Sequence, residues 1–330
     1  MMSPRLDAGP DTVHWGFFEA GLPPRLTINS GDRVVVSTVS GTVEMMPPEP
    51  LMVPEALSAI QARVQRRMVP GHICTGPIAV RGAKTGQVLQ VDIEAIDLNY
   101  DWGFNNIAPL RGGLPDDFAE ERVIHIPLDR ERMVGRLPWG MELPLRPFFG
   151  VMAVAPPPAW GTLSTLPPRR NGGNIDNKEL IAGTTLYLPI FVDGALFSVG
   201  DGHAAQGDGE VCLSAIETGL VGTLRLTVRT DMRLAWPFAE TPTHVITMGF
   251  DPDLDDCVVI ALRQMLDIIC ARTGLDRYQA YTLCSLAVDL RVTQVVNGNK
   301  GVHAMLEKRY LAHPCVYRKP HPAMISVLAV

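Results

Sequence analysis

Glycine and proline interrupt this chain so often that long regular elements are unfavourable over most of its length. The 330 residues include 30 glycines and 28 prolines. Glycine supplies the positive φ angles of tight turns, while proline ends helices and is excluded from central strands. Dense punctuation of this kind favours many short strands joined by turns. The sequence therefore predicts a mainly β fold over most of the chain.

Alternation of apolar and polar residues locates the strands. The clearest example is residues 88–98, in which Leu89, Val91 and Ile93 share one face. Further strands are predicted at residues 26–28, 33–37, 42–45, 78–80, 123–128, 148–154 and 220–228. Residues 52–68 predict a helix with Pro54 near its start, and residues 71–77 and 100–120 predict loops.

The pattern changes near residue 250. Asp251 to Asp256 supply carboxylates that favour a helix N-terminus, apolar residues recur with helical spacing over residues 254–272, and Gly274 ends the run. A second helix over residues 277–287 and a strand over 290–296 follow. The predicted class is α+β, mainly β with a C-terminal α/β part. We divide the chain into an N-terminal β-rich part (1–165), a central β part with the functional motif (166–248) and a C-terminal helix-helix-strand part (249–330).

Composition and charge argue against several classes of protein. Hydrophobic residues make up 46% and charged residues 19%, as in globular rather than disordered chains. A net charge of −6 and the lack of a basic run argue against a nucleic-acid partner. No apolar run approaches the roughly 18 residues of a membrane span, and no secretory signal pattern begins the chain. We therefore expect a cytoplasmic protein with no membrane partner.

The cysteines predict reduced thiols rather than a disulfide framework. None of the six lies in a CxxC motif, and several lie within apolar runs. They are Cys74, Cys212, Cys257, Cys270, Cys284 and Cys315.

Residues of metal-ligand type gather between positions 171 and 217. Asn174 with Asp176, and Asp201 with His203, are pairs at i, i+2 spacing. On a strand, such pairs face the same side with Cα atoms about 7 Å apart, so they can bind one ion. Aspartate with histidine suits Zn²⁺ and neighbouring divalent metals. A hydrogen-bonded pair at a sheet edge, or a turn after Gly172-Gly173, is the plain structural alternative.

Two glutamates follow these pairs. Glu210 ends the glycine-spaced loop 206–210, where a surface charge is the alternative interpretation. Glu217 ends the apolar run 213–217, where a carboxylate is costly unless it is paired, ligating or at the surface. His72 and His125 lie on or near predicted strands, and each is either a site residue or a scaffold histidine.

Motifs of other enzyme classes are absent from the sequence. It contains no G-x-S-x-G elbow, no P-loop, no G-x-G-x-x-G after a strand and no H-E-x-x-H. A mechanism through a covalent nucleophile therefore has little support.

Several blocks of the chain resemble the acetamidase/formamidase family. They are Thr75-Gly76-Pro77 with Gly82-Ala83, residues 172–176 (GGNID), 186–190 (LYLPI), 194–197 (GALF), 200–210 (GDGHAAQGDGE) and 278–296. The resemblance covers essentially the whole chain. It implies a β-sandwich or barrel-like fold and a cytoplasmic homo-oligomer, a dimer or tetramer, that releases ammonia from short amides with a bound divalent metal. Related members act on lactams, so the substrate stays open.

We assign roles to the matching residues as a hypothesis. Asp201 and His203 are the predicted metal ligands, with Asp176 or Glu217 completing the shell; zinc is the first choice, and a mostly oxygen shell would admit calcium. Such a metal activates a water and polarises an amide carbonyl. Glu217 or Glu210 then moves the proton.

The remaining roles concern the substrate. Asn174 is a third candidate catalytic residue, and N–H groups of Gly172-Gly173 are candidate oxyanion donors. His72, Trp102 and Gly173 are the predicted substrate contacts. The predicted function is hydrolysis of a formamide- or acetamide-type substrate. The alternatives are a hydrolase of lactams or larger amides, and a metal-stabilised binding protein without turnover.

Overall fold

The computed structural model describes residues 3–312 and confirms a mainly β, α+β fold. The helices are α1 (Glu55–Arg63), α2 (Leu254–Thr273) and α3 (Arg277–Ala287), with short 3₁₀ turns at Val43–Met45, Pro158–Trp160 and Lys308–Leu311. The strands are β1 (Arg5–Leu6), β2 (Val13–Trp15), β3 (Phe17–Phe18), β4 (Leu26–Ile28), β5 (Asp32–Ser37), β6 (Ile73–Val80), β7 (Val88–Leu98), β8 (Trp102–Ile107), β9 (Arg122–Asp129), β10 (Val134–Arg136), β11 (Glu142–Pro144), β12 (Phe148–Ala153), β13 (Leu163–Ser164), β14 (Gly172–Asn174), β15 (Thr184–Pro189), β16 (Phe197–His203), β17 (Glu217–Thr218), β18 (Leu220–Arg229), β19 (Phe238–Glu240), β20 (His244–Asp251), β21 (Val288–Gln294) and β22 (Lys300–Glu307).

Two large sheets form the body of the molecule. The nine-stranded sheet has the order β1-β5-β18-β7-β15-β19-β20-β22-β21. The eleven-stranded sheet has the order β11-β10-β9-β8-β17-β16-β12-β14, and β6 joins β16 to β2 and β4. The main core contains Val91 and Leu224 of the first sheet together with Phe149 and Val199 of the second. The two sheets therefore pack as a sandwich around this core.

The two C-terminal helices cover one end of the nine-stranded sheet. Ala261, Met265 and Ile269 of α2 belong to the same buried cluster as Val302 and Leu306 of β22. Both helices begin as their sequences predict: the Asp253 side chain caps α2, and a capping box caps α3. Strands from all three predicted segments share this sheet, so the division at residues 165 and 248 stays a prediction.

Some local predictions were wrong because pairing between distant strands overrides local pattern. Residues 102–107, predicted as part of a loop, form β8, which pairs with β9 and β17. Residues 43–45 form a 3₁₀ turn instead of a strand, and β6 begins at Ile73 within the predicted loop. The first helix stops at Arg63 because the chain after it returns to β2, where Met68 N–H donates to Trp15 O.

The described cysteines match the predicted absence of disulfides. Cys74, Cys257 and Cys284 are buried free thiols, and Cys212 and Cys270 are partly exposed free thiols. Cys315 lies outside the described residues. Over residues 3–312, none of the helices is long and apolar enough to cross a membrane.

Candidate active site

The side chains of Asp201 and His203 converge at the end of β16, as their spacing predicts. Asp201 Oδ2 lies 3.3 Å from His203 Nε2. Glu217 joins them because β17 pairs with β16 so that Glu217 is directly opposite His203. Glu217 Oε1 lies 3.3 Å from the same Nε2 atom.

Two more carboxylates complete what we call the His203 cluster: Asp176, Asp201, His203, Glu210 and Glu217. Asp176 follows β14, and its Oδ1 lies 3.9 Å from His203 Nε2. Glu210 comes from the loop between β16 and β17. The cluster contains two sets of three ligand atoms, each within 4.8 Å of one another: Asp176, His203 and Glu210, and Asp201, His203 and Glu217.

Three of the cluster's four carboxylates stand on strained backbone. The φ angles are 51° at Asp176, 55° at Asp201 and 47° at Glu210. The left-handed region costs a non-glycine residue about 1 kcal/mol or more, and such strain concentrates at functional sites. The fold thus holds these acids in position at some cost to its stability.

Gly150 leaves the space in which the cluster converges. It lies on β12, next to β14 and β16, and its carbonyl accepts the Asp176 N–H at 3.2 Å. A Cβ atom at this position would lie 2.4 Å from Asp176 Oδ1 and 2.7 Å from Asp201 Oδ2. A side chain at residue 150 would therefore occupy the space between the two carboxylates.

Gln206 determines which nitrogen of His203 faces the carboxylates. Its Nε2 donates to Asp176 O at 2.9 Å, which points its Oε1 at His203 Nδ1, 2.8 Å away. Since Oε1 only accepts, Nδ1 carries the hydrogen. In the neutral ring, the lone pair of Nε2 then faces the carboxylates. Metal-binding histidines are commonly oriented by a hydrogen bond of this kind to their other ring nitrogen.

Burial and crowding perturb the acids of the cluster. Burial raises the pKa of Glu217 to about 7, and burial together with Asp176 raises the pKa of Glu210 well above its usual range. Burial would also raise the pKa of Asp201, but His72 and His203 hold it below its usual value. Burial opposes charge on His203, yet Glu217 and Asp201 raise its pKa well above its usual range.

These observations test whether the cluster fits a divalent metal. No Lys or Arg within residues 3–312 forms an ion pair with Asp176, Asp201, Glu210 or Glu217. His203 Nε2, Asp176 Oδ1 and Glu210 Oε2 are buried without a hydrogen-bond partner among the described residues. Buried charges of one sign need a counter-ion, and one imidazole with several carboxylates suits a divalent cation. The residues fit such a metal.

A cavity of about 610 Å³ opens above the cluster. Asp201, Glu210 and Glu217 line it, whereas Asp176 and His203 lie beneath its surface. The predicted substrate contact His72 also lines it, with Nε2 3.6 Å from Asp201 Oδ2 and Nδ1 3.1 Å from Thr165 Oγ1. Asn174 lines the cavity as well.

The structure does not bring two predicted substrate contacts to the cavity. Trp102 is fully buried in a separate apolar cluster, where its Nε1 donates to Met52 O, because β8 turns this side chain into the core. Gly173 is buried in β14 opposite Met152, and the Gly172 N–H is already donated to Arg169 O. The predicted oxyanion donation from Gly172 is therefore wrong. His125 donates from Nε2 to Met45 O and does not line the cavity.

Sequence reasoning missed residues that enter the site from distant segments. Asn297, in the turn after β21, donates from Nδ2 to Asp176 Oδ2. Asn106 lines the cavity from β8, and its Oδ1 has no partner in the part of the chain that the structure describes. Asn297 was missed because the dipeptide Asn297-Gly298 is a common turn sequence. Asn106 was missed because residues 100–120 contain no recognisable motif.

Comparisons with known proteins agree with the family resemblance of the sequence. The sequence profile described as the Acetamidase/Formamidase family matches residues 18–161 and 157–306. An acetamidase of Mycolicibacterium smegmatis is 30% identical over 211 residues, 46% of this chain and 52% of that protein. A formamidase of Methylophilus methylotrophus is 32% identical over 191 residues, 42% of this chain and 47% of that protein.

The chain thus spans about half the length of these two relatives. Among solved structures, a crystal structure of an acetamidase from Bacillus halodurans superposes with a TM-score of 0.80 and 31% identity. That match covers 93% of this chain and 98% of the other.

Proposed function

The chain belongs to the acetamidase/formamidase family, and we propose that it hydrolyses a carboxamide to a carboxylate and ammonia in the cavity above the His203 cluster. The observation that carries this proposal is the cluster itself, four buried carboxylates around one oriented imidazole at the base of a cavity. The names of the relatives indicate short amides, so acetamide and formamide are the reference substrates.

Asp201, His203 and Asp176 are the residues that would hold a divalent metal. Zinc is our first choice because imidazole and carboxylate both bind it, and calcium would require a shell mostly of oxygen. When bound, such a metal acts as a Lewis acid on the amide carbonyl and makes water more acidic. Gln206 keeps His203 Nε2 available, and Gly150 keeps the space free.

Glu217 is the group that we assign to proton transfer. Its pKa of about 7 lets it take a proton from water near neutral pH and give it to the leaving nitrogen. The C–N bond breaks, a C–O bond to the water oxygen forms, and the product nitrogen leaves as ammonia. Burial and the nearby Asp176 also raise the pKa of Glu210 well above its usual range, and we keep Glu210 as the alternative group for proton transfer.

Asn174 and His72 are the residues that we assign to orienting the amide. Asn174 Oδ1 is buried at the cavity without a partner in residues 3–312, and an oxygen of this kind accepts a hydrogen bond from an amide N–H. Thr165 fixes the ring of His72 through both the backbone and Nδ1 of that residue. These contacts would fix the leaving nitrogen near Glu217.

The test is ammonia release from acetamide and formamide, with bound metals counted on the same sample before and after chelation. We expect turnover that is lost on chelation and returns with one metal. Asp201→Asn should lose both metal and activity, while Glu217→Gln should keep metal and lose activity by about 100-fold or more. Stoichiometric metal with no turnover of any amide would favour a metal-stabilised binding protein instead.

We also propose a cytoplasmic homo-oligomer, a dimer or tetramer. The free thiols among the described cysteines fit a reducing compartment. Helix α3 exposes large apolar side chains, Tyr278, Tyr281 and Leu286, which are typical of a surface that another subunit covers. Light scattering on the protein as it elutes from a size-exclusion column measures its mass and tests the proposed oligomer. A mass equal to that of the monomer at every protein concentration would contradict the proposal.

A further inference from the structure

The cavity is much larger than a short amide needs. Acetamide has four non-hydrogen atoms, which occupy on the order of 100 Å³ if each takes about the 30 Å³ of a liquid water. The cavity volume is about 610 Å³. Volumes of this size hold ligands of ten or more non-hydrogen atoms. A short amide would leave most of the cavity to water.

The cavity lining combines a connected group of polar residues with a larger apolar share. His72, Asp201, Glu217 and Asn297 belong to the connected polar network at its base. The walls above them are mainly apolar, with Trp15, Met45, Phe104, Leu166, Leu213 and Val296 among the lining residues. A ligand that matches this arrangement carries its polar group at one end and an apolar body at the other.

Charged residues at the mouth of the cavity indicate that the apolar part of the ligand carries no net charge. Arg111 and Glu121 both line it and both are exposed, so the two signs are present together. Exposed charges of this kind are screened by water and bind an ionised group weakly. The acyl group that fits the walls is therefore uncharged.

Two acceptor oxygens of the cavity lining bear on the class of amide that fits. Asn106 Oδ1 and Asn174 Oδ1 are buried, line the cavity and lack hydrogen-bond partners within residues 3–312. A primary amide carries two N–H donors on one nitrogen, whereas an N-substituted amide carries at most one. A primary amide also keeps all its polar atoms at one end of the molecule.

From these observations we propose that the substrate is a primary amide with a large, uncharged, apolar acyl group, of about the size of an arylacetyl group. This inference rests on the amide hydrolysis proposed above. The carboxamide sits at the polar base, and the acyl group fills the space between the apolar walls. Formamide and acetamide are then poor substrates because they leave the walls hydrated.

The experiment compares kcat/KM for phenylacetamide and acetamide, measured as ammonia release by the purified, metal-loaded protein. Burying a phenyl group should favour phenylacetamide by about 10- to 100-fold. Ala108→Phe places a ring within the cavity and should lower kcat/KM for phenylacetamide by about tenfold or more, with acetamide changed by less than about twofold. Val296→Phe, at another apolar residue of the cavity lining, is a second variant for the same comparison.

The matched control is Ala62→Phe, an equal change at an exposed position of α1 outside the cavity lining, which should alter neither value. Thermal unfolding of each variant shows whether a loss of activity comes from the filled cavity or from a destabilised fold. Acetamide turned over as well as or better than phenylacetamide would overturn this inference and leave the amide hydrolysis standing. Failure to hydrolyse either amide, or formamide, would refute the proposed function and the inference with it.

Discussion

Asn297 donates a hydrogen bond from Nδ2 to Asp176 Oδ2 across 2.5 Å, joining a C-terminal turn to a carboxylate 121 residues earlier. Both residues are buried, and Asn297 also contacts the Asn174 backbone carbonyl at 3.5 Å. The C-terminal part of the chain thus holds one oxygen of Asp176 and leaves Oδ1 facing His203.

Removing this contact should weaken the metal site without removing a ligand. We expect Asn297→Ala to lower metal affinity by about 10- to 100-fold, since groups that orient a ligand have effects of this size. Asn297→Asp should lower it further, because an ionised carboxylate cannot donate to Asp176 Oδ2 and repels it. A competitive chelator titration measures the affinity. Unchanged affinity in both variants would show that Asp176 is not a ligand.

Gly150 provides a second test of the metal site, because a side chain added there takes up space without changing the charge. The added Cβ of Gly150→Ala would lie 2.4 Å from Asp176 Oδ1 and 2.7 Å from Asp201 Oδ2, so at least one carboxylate must move. We expect loss of bound metal and of activity, by about 100-fold, because displacements of about 1 Å have effects of this size. Metal analysis and ammonia release measure the two losses.

A glycine on the protein surface provides the control for the Gly150→Ala variant. Gly21→Ala places its Cβ no closer than 3.8 Å to another atom, the Glu19 Oε1, and should change neither metal content nor activity. Full metal content in Gly150→Ala would mean that the ion binds elsewhere in the cluster, nearer Glu217 than Asp176.

Local pattern predicted the parts of this molecule that depend on neighbours in sequence. The period of two placed Asp201 and His203 on one side, and the cost of a carboxylate in an apolar run singled out Glu217. Helices α2 and α3 were predictable because their caps and apolar spacing are local signals. The resemblance identified the family.

Other parts depend on which strands become neighbours, and no local pattern contains that information. Gly150 matters only because β12 lies between β14 and β16, and Asn297 only because the turn after β21 reaches Asp176. Trp102 looked like a loop residue, but pairing of β8 with β9 and β17 turns its side chain into the core. The left-handed backbone at Asp176, Asp201 and Glu210 likewise follows from tertiary contacts.

Buried histidines outside the site should make the fold sensitive to mild acid. Burial lowers the pKa of His303 to about 4, while Thr293 Oγ1 lies 2.7 Å from its Nδ1. The unfolded chain takes up this proton near pH 6.5, but the folded protein does so only near pH 4. Stability is therefore complete above pH 6.5 and falls as pH decreases toward 4, by up to about 3 kcal/mol.

His303→Gln removes this titration. Its free energy of unfolding, from denaturant titration, should fall less steeply between pH 6 and 5 than that of the wild type, by about 1.4 kcal/mol per pH unit. His14 acts in the same direction, since burial lowers its pKa to about 4 as well. An identical slope in wild type and His303→Gln would show that His303 is protonated in the folded protein.

The crowding of carboxylates predicts opposite effects of one substitution on the metal-free and metal-bound protein. Asp176, Asp201, Glu210 and Glu217 are buried together without a Lys or Arg partner in residues 3–312, so the metal-free fold is destabilised by repulsion and proton uptake. A metal at about 1,000 times its Kd should stabilise the wild type by about 4 kcal/mol, which raises the unfolding midpoint by on the order of 10 °C. Asp176→Asn keeps a residue that tolerates left-handed backbone but removes one charge, at a carboxyl whose pKa is raised by burial. Its midpoint should rise in chelator and should no longer rise on adding metal. A metal-induced shift that survives in Asp176→Asn would remove Asp176 from the ligand set and place the ion among Asp201, His203 and Glu217.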